Sequence, residues 1–302
     1  MVNTTSDSSD GALPQRIRQA GGVPGSLPRR SPPQSTDGPL LPVQEASQGN
    51  RVNNNCFQNS RQQANTSEVT VKSLRILQWN AEGISRKKIQ LAQRLKADEI
   101  DIACIQETHL NEGNRFSVRG YEPHRMDRKD RTKGGVLILV KNNIVAKESQ
   151  IDTGRNAEIH KLTFNINNKP FSIYNYYCPQ DKLLCLDHLE IADSNCMVIG
   201  DFNSHSTSWG YADNDRRGED VENWQIDANI LLLNDPDDPP SFYSRRWRTS
   251  TTPDLAFATG DIAGKITRKV QSQLAGSDHK PVLIEVQQTW NPTQSRLSPR
   301  WN

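Results

Sequence analysis

The hydrophobic residues of this chain fall into short apolar runs, and several of these runs end in a polar residue. Such runs are typical of buried strands bounded by loops. Nine segments have this pattern and are predicted as strands: 73–80, 100–109, 134–141, 158–166, 169–179, 196–201, 253–258, 265–273 and 279–287. Three segments show the wider apolar spacing of a helix, namely 85–99, 181–193 and 216–234.

The order of these elements indicates the fold class. Strands outnumber helices and several strands follow one another directly, so the chain lacks a simple alternation of strand and helix. Two packed sheets flanked by helices accommodate that order better than a single doubly wound parallel sheet. The sequence therefore predicts an α/β (α+β) domain built on two packed β-sheets.

Composition sets the limits of this domain. Residues 1–70 are rich in Pro, Ser, Gln and Asn and almost lack aromatic residues. A segment of this kind cannot bury enough apolar surface to order itself, so we expect it to be disordered. Residues 289–302 resemble a linker. The remaining segment, 71–288, has a suitable length for one substantial domain.

Charge and cysteine usage narrow the class of protein further. Residues 71–290 hold 29 basic and 30 acidic residues, a net charge of −1, and the flanks hold the other 8 basic and 5 acidic residues, a net charge of +3. A near-neutral domain argues against wholesale electrostatic wrapping of nucleic acid but allows a local basic rim. The five cysteines lack C-x-x-C spacing and suggest buried thiols in a reducing compartment. No secretory or membrane-spanning pattern occurs, which favours a nuclear or cytoplasmic location.

The segment MVIGDFNSHSTSWG, residues 197–210, raises the first question of chemistry. An apolar strand ends there in Asp201 and Asn203, whose side chains point the same way because they are two residues apart. Such a pair could hold a water molecule and one substrate oxygen. An ordinary turn is the alternative, since Asp and Asn after Gly often form turns.

Other strand ends carry polar residues of the same kind. Asn80, Glu107 and Tyr177 each follow an apolar run, and the sequence GSDH at 276–279 precedes the last predicted strand. Asp254 lies at the start of an apolar run instead. Each residue alone is unremarkable at an exposed strand end, but together they form a constellation of groups suited to binding metal or phosphate.

The ordered motifs QWNAEG, IQETH, YNYYCP, GDFNSH, SFYS, TTPDLAF and GSDH resemble those of the endonuclease/exonuclease/phosphatase superfamily. This superfamily includes deoxyribonuclease I and the apurinic/apyrimidinic endonucleases, and the resemblance spans about residues 74–287. The segment GDFNSHSTSWGYADNDRRGE is most similar to the endonuclease domain of non-LTR (LINE-type) retrotransposons, and SRLSPRWN is similar to the linker that leads to their reverse transcriptase. The resemblance implies a deoxyribonuclease I-like four-layer sandwich with two mainly antiparallel sheets.

The resemblance also implies roles for residues around a metal site. Glu107 would hold a divalent cation, normally Mg²⁺ with Mn²⁺ as a possible substitute, and Asn80 would lie beside it. Glu82 would lie close to the metal, and Asp278 would lie near the metal or the leaving group. Oxygen ligands without thiolates suit Mg²⁺ better than zinc.

The remaining implied roles concern water and phosphate. Asp201 would orient or deprotonate the attacking water, with Asn203 helping to place water and phosphate. His279 would contact the scissile phosphate while Asp254 orients its ring. Tyr177 and Ser241 match positions that hydrogen-bond phosphate in relatives. Two further histidines next to motifs, His109 and His205, have no role implied and are interpreted as structural or surface residues.

Two basic loops are candidates for binding the substrate. Residues 125–133 (RMDRKDRTK) and 244–250 (SRRWRTS) could be solvated turns or could grip phosphates beside the cleft. The second loop lies just before Asp254 in sequence and includes an aromatic residue that could stack on a base. We therefore predict DNA binding by its four central residues, Arg245, Arg246, Trp247 and Arg248.

Three classes of function compete at this point. The leading hypothesis is a Mg²⁺-dependent DNA endonuclease that leaves a 3′-hydroxyl for target-primed reverse transcription. The partner that the resemblance implies is a reverse transcriptase domain in a longer parent polyprotein. The second is a phosphodiesterase or phosphatase of the same fold acting on lipid, inositol or RNA. The third is a catalytically dead nucleic-acid-binding remnant. The basic loops favour DNA, and the complete set of implied catalytic residues argues against a dead remnant.

Overall fold

The computed structural model describes residues 73–129, 133–191 and 194–287. All of them belong to one compact unit, Asn65–Asn302. The segments predicted as a disordered N-terminal region and a linker-like tail lie outside the described residues.

The described residues form fourteen strands and three α-helices. The strands are β1 (Leu74–Asn80), β2 (Ile102–Gln106), β3 (Tyr121–Met126), β4 (Val136–Lys141), β5 (Ala146–Ile151), β6 (Glu158–Ile166), β7 (Lys169–Tyr177), β8 (Cys196–Asp201), β9 (Ile230–Leu232), β10 (Phe242–Ser244), β11 (Thr249–Thr251), β12 (Asp254–Thr259), β13 (Ile266–Val270) and β14 (Val282–Val286). The helices are α1 (Lys88–Ala97), α2 (Arg216–Asp227) and α3 (Gly260–Ala263). No helix in these ranges is long and apolar enough to cross a membrane.

Twelve of the strands form two six-stranded sheets. Sheet A has the order β13-β14-β1-β2-β4-β3, and sheet B has the order β5-β6-β7-β8-β12-β9. Most neighbouring strands are antiparallel, but β1 runs parallel to β2 in sheet A and β7 runs parallel to β8 in sheet B. The remaining strands, β10 and β11, form a separate hairpin.

Three hydrophobic clusters divide this unit into four layers. The largest cluster lies between the sheets and joins Ile76 and Ile102 of sheet A to Ile173 and Met197 of sheet B. Another covers the outer face of sheet B, where α2 packs. The third covers the outer face of sheet A, where α1 packs. The predicted four-layer sandwich with two mainly antiparallel sheets is confirmed.

The helix predicted over 181–193 is wrong. Only a single 3₁₀ turn, Leu186–His188, forms in the described part of this segment. Cys185, immediately before it, has a left-handed backbone with φ of 52°. Leu184 and Leu189 pack individually against the outer face of sheet B. Tertiary contacts therefore override the helical spacing of the apolar residues.

The helix predicted over 216–234 extends too far. Helix α2 ends at Asp227, and Asn229 with φ of 49° reverses the chain into β9. Left-handed Asn residues are common helix terminators. Ile226, which the helical spacing would place on the buried face, is 73% exposed. The apolar residues of β9 continue the spacing of α2, and the sequence pattern therefore predicts a single helix.

Five strands were not predicted, because each is either mostly polar or only three residues long. Strands β3 and β5 are edge strands of the two sheets and are mostly polar. Strands β9, β10 and β11 have only three residues each.

In the first predicted helix, Leu91 and Leu95 form the buried face, whereas Ile89 is 71% exposed.

Candidate active site

The parallel strand pairs bring the polar strand ends together. In sheet A, Asn80 at the end of β1 pairs with Gln106 at the end of β2. In sheet B, Tyr177 at the end of β7 pairs with Asp201 at the end of β8, and Asp254 at the start of β12 also pairs with Asp201. The carboxyl ends of parallel strands meet at the same edge of a sheet. Both sheets therefore present their polar ends at one edge of the sandwich.

A buried carboxylate–imidazole pair lies at the centre of this edge. His279 Nδ1 is 2.9 Å from Asp254 Oδ2, and both side chains are almost completely buried. The Nε2 atom of His279 lies 3.9 Å from Asp201 Oδ2. The pair therefore directs Nε2 towards Asp201, and the hydrogen bond at Nδ1 fixes the orientation of the ring.

Asp254 has further hydrogen bonds that hold it in place. Its Oδ1 accepts a hydrogen bond from Gln78 Nε2 at 2.8 Å, and its Oδ2 accepts one from the Ser241 hydroxyl at 2.6 Å. Ser241 is completely buried, so its hydroxyl supports Asp254. This placement differs from the predicted contact between Ser241 and phosphate, because the hydroxyl proton is used within the protein.

Asp201 connects the two sheets. Its Oδ2 accepts a hydrogen bond from Asn80 Nδ2 at 2.8 Å, and its Oδ1 accepts one from the Asn203 backbone N–H at 3.1 Å. The Asn203 side chain donates to the Cys178 carbonyl at 3.1 Å. Asn203 has a left-handed backbone with φ of 47°, a conformation that Asn tolerates better than most residues. The turn and the paired side chains thus occur together at residues 201–203.

Glu107 is held by three side chains. Its Oε1 accepts hydrogen bonds from Asn80 Nδ2 at 3.1 Å and from the Tyr177 hydroxyl at 2.8 Å, and its Oε2 lies 3.2 Å from His109 Nε2. The backbone of Glu107 is left-handed, with φ of 48°. A non-glycine residue in this region costs about 1–3 kcal/mol, and such residues cluster at functional sites.

The pKa shifts in this group have identifiable causes. Burial opposes ionisation of Glu107, but hydrogen bonds from His109, Asn80 and Tyr177 outweigh it and lower the pKa to about 2. Burial, together with the nearby Asp254, raises the pKa of Asp201 to about 7. The carboxylate of Asp254 outweighs the effect of burial on His279 and raises its pKa to about 9. At neutral pH the site therefore holds an ionised Glu107 and a protonated His279.

Glu82 and Asp278 lie at the more open side of this site. The Glu82 backbone N–H donates to Asn80 Oδ1 at 3.1 Å, and its carboxylate lies 3.6 Å from Arg245 NH2. Burial and the charge of Glu82 both raise the pKa of Asp278. Two acids thus lie near each other beside Asn80 and Glu107, the arrangement expected near a cation.

The available oxygen atoms fit a divalent cation. Glu107 is ionised and partly exposed, and a carboxylate has about four acceptor positions, of which three hydrogen bonds use only part. Asp201, Asp254 and His279 also place potential ligand atoms within 4.8 Å of one another. Both oxygens of Asp254 already accept hydrogen bonds, so we interpret that second group as a hydrogen-bonded relay. The oxygen-rich side at Glu107 is the better match to a hard cation.

The β10–β11 hairpin borders the site. Phe242 forms a bridge with His279, and their ring centroids are 4.7 Å apart. At the tip, Trp247 is 69% exposed, and the Arg246 guanidinium lies 4.7 Å from the centroid of its ring. Arg245 NH2 donates to the Gly276 carbonyl at 2.7 Å. The hairpin is therefore attached beside His279 and exposes the residues predicted to bind DNA.

A polar cavity of about 780 Å³ lies on the other side of Tyr177. Arg128 connects the two regions, since its guanidinium lies 5.9 Å from the Tyr177 ring centroid and pairs with the buried carboxylate of Glu158. The cavity lining includes five basic residues and four acidic ones, and two of the arginines pair with acids of this set, Arg125 with Asp127 and Arg128 with Glu158. Basic residues thus flank the candidate site on two sides.

Sequence reasoning missed several residues that shape the site. Gln78 joins Asp254 to Gln106, whose amide donates to Asn175 Oδ1 at 2.6 Å across the two sheets. These amide residues lie inside apolar strands. An amide within an apolar run is therefore the sequence signal that could have identified them. His109, interpreted as structural, contacts Glu107 directly. His205 stacks on Tyr211 and does not contact Glu107, Asp201 or Asp254.

The comparisons with known proteins agree with this geometry. The model of the Endonuclease/Exonuclease/phosphatase family matches residues 77–279, and the chain belongs to this family. Nucleases of this family depend on divalent metal ions.

The relatives and similar structures connect the chain to retrotransposons. The chain is 25% identical over 218 residues to a probable RNA-directed DNA polymerase from transposon X-element of Drosophila melanogaster, covering 70% of this chain and 24% of that protein. It is 23% identical over 227 residues to the RNA-directed DNA polymerase from mobile element jockey of the same species, covering 73% and 24%. The chain thus spans about a quarter of the length of these relatives.

Solved structures show the same fold. The endonuclease domain of TRAS1, a telomere-specific non-LTR retrotransposon, is 22% identical with a TM-score of 0.60, covering 72% of this chain and 100% of that one. The APE2 catalytic domain of Xenopus laevis is 17% identical with a TM-score of 0.59, covering 75% and 95%. The predicted resemblance to retrotransposon endonucleases is confirmed by these relatives.

Proposed function

We propose that this chain is a divalent-metal-dependent DNA endonuclease that nicks a phosphodiester bond and leaves a 3′-hydroxyl. The observation that carries the proposal is the buried network joining Asn80, Glu107, Asp201, Asp254 and His279 at one edge of the sandwich. A purely structural network would gain nothing from placing so many ionisable groups together, because burial of charge is unfavourable without compensation. Perturbed acids and a histidine in one cluster are typical of an active site.

His279 and Asp254 handle the phosphate in this proposal. The Nδ1 atom is held by Asp254, so Nε2 is the atom available to the substrate. Because the pKa of His279 is raised to about 9, Nε2 carries a proton at neutral pH and can donate to a non-bridging phosphate oxygen. Asp254 is thus an orienting residue, and His279 stabilises the negative charge on the non-bridging phosphate oxygens.

Asp201 and Asn203 handle the water. A pKa of about 7 places Asp201 in the range in which a general base works well at neutral pH. The Asn203 backbone N–H holds Asp201 Oδ1. The side chain of Asn203, whose Nδ2 donates to the Cys178 carbonyl, would help to place water and phosphate through its oxygen. Asp201 would align the water for in-line attack and accept its proton.

Glu107 would hold the cation, with Asn80 next to it and Glu82 and Asp278 nearby. We propose Mg²⁺, with Mn²⁺ as a substitute, because every one of these ligands offers oxygen. When bound, the ion would neutralise charge on the phosphate and its leaving oxygen. Tyr177 donates to Glu107 and would hold that carboxylate, or a phosphate oxygen, in place.

DNA is the proposed substrate because basic residues flank both sides of the site. The β10–β11 hairpin offers the exposed residues Arg245, Arg246, Trp247 and Arg248, and the cavity beyond Tyr177 holds five basic side chains among four acidic ones. Basic side chains at two flanks can contact a polymer on both sides of the scissile bond. A small phosphomonoester or inositol would reach only one flank.

A plasmid-nicking assay tests the proposal. Supercoiled DNA should be converted to the open circle with Mg²⁺ or Mn²⁺ and should remain intact with excess chelator. Failure of the purified protein to nick any DNA under these conditions would contradict the proposal. Release of phosphate from lipid, inositol or RNA substrates would then favour the second hypothesis, and DNA binding alone would favour a dead remnant.

The product ends test the finer part of the proposal. The curated relatives are RNA-directed DNA polymerases, so a nick made here could prime reverse transcription by a linked polymerase domain. A polymerase should extend the nicked strand without prior phosphatase treatment. Extension only after phosphatase treatment would contradict the priming role.

Access to chromosomal DNA requires an intracellular location, nuclear or cytoplasmic, which we propose on that ground.

A further inference from the structure

The guanidinium of Arg217 lies behind the site and binds four backbone carbonyls. Its Nε donates to the Asn203 carbonyl at 2.9 Å and NH1 donates to the Lys182 carbonyl at 2.5 Å. Its NH2 donates to the Phe202 carbonyl at 2.8 Å and to the Cys178 carbonyl at 3.4 Å. A guanidinium has five N–H donors in a planar fork, and four are used here. Few single side chains can join so many carbonyls.

These carbonyls belong to the two turns that follow the active-site strands. Cys178 follows Tyr177 at the end of β7, and Phe202 and Asn203 follow Asp201 at the end of β8. The Asn203 side chain donates to the same Cys178 carbonyl that Arg217 binds. Arg217 therefore fixes both the backbone of Asn203 and the group to which the Asn203 amide is anchored.

The sequence DRRG at 215–218 explains how Arg217 reaches this position. Asp215 caps α2 by accepting from the Gly218 N–H at 2.7 Å, and it also accepts from the His205 N–H at 3.0 Å. Helix α2 thus begins against the 203–206 turn. A Cβ atom on Gly218 would lie 1.8 Å from the His205 carbonyl oxygen, so only glycine allows this close approach. The helix start delivers the Arg217 side chain into the turn.

We infer that Arg217 is a positioning residue for phosphodiester cleavage and acts through Asn203. Asn203 has a left-handed backbone, which persists only when its surroundings determine it. Loss of the guanidinium leaves four partly buried carbonyls without this partner and lets the turn relax. The Asn203 amide and its N–H to Asp201 then lose their fixed direction. The inference rests on the proposed function for the chemistry, but the local geometry is independent of it.

Single-turnover nicking at saturating DNA measures the positioning effect. We expect Arg217→Ala to lower the rate constant by about 10- to 100-fold, since small misplacements in a site have effects of this size. DNA affinity should change by less than about threefold, because Arg217 contacts backbone carbonyls. Arg217→Lys should recover part of the rate, because an ammonium can bind one or two of the carbonyls but lacks the planar fork. An unchanged rate constant in folded Arg217→Ala protein would overturn the inference.

Arg216 provides the matched control. It lies next to Arg217 on the same helix, carries the same charge and is exposed. Arg216→Ala should leave the rate constant and the DNA affinity unchanged. An equal loss of rate in both variants would assign the effect to general charge and would also overturn the inference.

A double mutant separates positioning from general stabilisation. If Arg217 acts through Asn203, Arg217→Ala should cost less rate in an Asn203→Ala background than in the wild type, because the anchored amide is already absent and only the backbone N–H that holds Asp201 is left to lose. Fully multiplicative losses would show that Arg217 acts by another route.

Hydrogen exchange provides a readout that does not need activity. In Arg217→Ala, amides of residues 202–205 should lose protection while those in the middle of β12 keep it, and Arg216→Ala should match the wild type. Unchanged protection at 202–205 would overturn the inference. If the wild type fails to nick DNA, the proposed function fails, but the exchange comparison still decides whether Arg217 holds this turn.

Discussion

At the scale of single residues, Glu107 shows how the site combines strain with hydrogen bonding. Its backbone adopts a left-handed conformation that a long side chain rarely takes. Donors from Asn80, Tyr177 and His109 converge on its carboxylate. The same donors that lower its pKa also fix its direction, so the strained conformation is stabilised by the contacts it makes possible.

We expect Glu107→Ala to abolish most nicking while the fold survives. The variant removes the charged oxygen ligand, and raised Mg²⁺ or Mn²⁺ should restore part of the activity if other ligands remain. Nicking rates across a metal titration, together with circular dichroism, test this. Glu107→Gln is the control that keeps the size of the side chain. Full activity at ordinary Mg²⁺ would exclude Glu107 as a principal ligand.

His279 and Asp201 should act as one unit. Each of His279→Ala and Asp201→Ala should lower the rate by several orders of magnitude, on the order of 10³ or more, as seen for cooperating catalytic groups. The double mutant should lose far less than the product of the two effects, because either loss already disables the in-line attack. Single-turnover nicking of a labelled duplex measures all three. Nicking by His279→Ala at the wild-type rate would contradict the mechanism.

The charge of Asp254 should control the protonation of His279. Because the carboxylate favours the imidazolium, Asp254→Asn should lower the pKa of His279 by about 1–3 units. In the wild type, the same ion pair stabilises the fold fully below pH 6.5, and this contribution is lost as pH rises through about 9. Titration of the His279 ring nitrogens by NMR without metal tests the shift. An unchanged pKa would mean that Asp254 does not set the charge of the ring.

At the scale of elements, the β10–β11 hairpin is the clearest separable unit. It lies outside the two sheets and is attached to the site through Phe242 and His279. Its tip exposes an arginine–tryptophan pair to solvent. A short hairpin of this kind can contact DNA without changing the geometry of the acids.

Replacing Arg245, Arg246 and Arg248 by Ala should weaken DNA binding more than turnover. Each lost phosphate contact should reduce the slope of log affinity against log salt by about one. Binding measured at several salt concentrations, with the rate at saturating DNA, separates the two effects. Trp247→Ala should weaken binding without changing the slope, because stacking involves no phosphate charge. An unchanged slope in the triple variant would exclude phosphate contact by this loop.

At the scale of the whole molecule, the active site depends on the packing of two sheets. Asn80 and Glu107 come from sheet A, whereas Tyr177, Asp201 and Asp254 come from sheet B. The amides of Gln78, Gln106 and Asn175 join the sheets beneath these groups. The buried apolar cluster between the sheets therefore sets the separation of the reacting groups.

Deletion of residues 1–70 should leave nicking intact. The composition of this segment gives it no apolar period, and every residue of the candidate site lies after it. Nicking rate and thermal stability of the shortened protein should equal those of the full chain. Loss of the folded domain on deletion would contradict the prediction.

The sequence alone determined which positions we propose to carry the chemistry. Apolar runs that end in Asn80, Glu107, Tyr177 and Asp201 reveal strand ends, because a continuous apolar run bounded by polar residues is a local property of the chain. The ordered motifs revealed the family and hence the two-sheet fold. Local pattern also placed Asp254 at the start of a buried strand, where the structure has it.

The tertiary structure decided which groups are partners. Gln78 and Asp254 are 176 residues apart, and nothing local to either indicates their hydrogen bond. Nothing local to Arg217 indicates that it binds the carbonyls of two separate turns. Likewise, nothing local to segment 181–193 indicates that the Lys182 carbonyl accepts a hydrogen bond from Arg217. Local spacing encodes which side of an element is buried, whereas the partner in the buried space depends on how distant elements pack. For that reason the sequence revealed the acids of the site, and only the fold revealed what holds them.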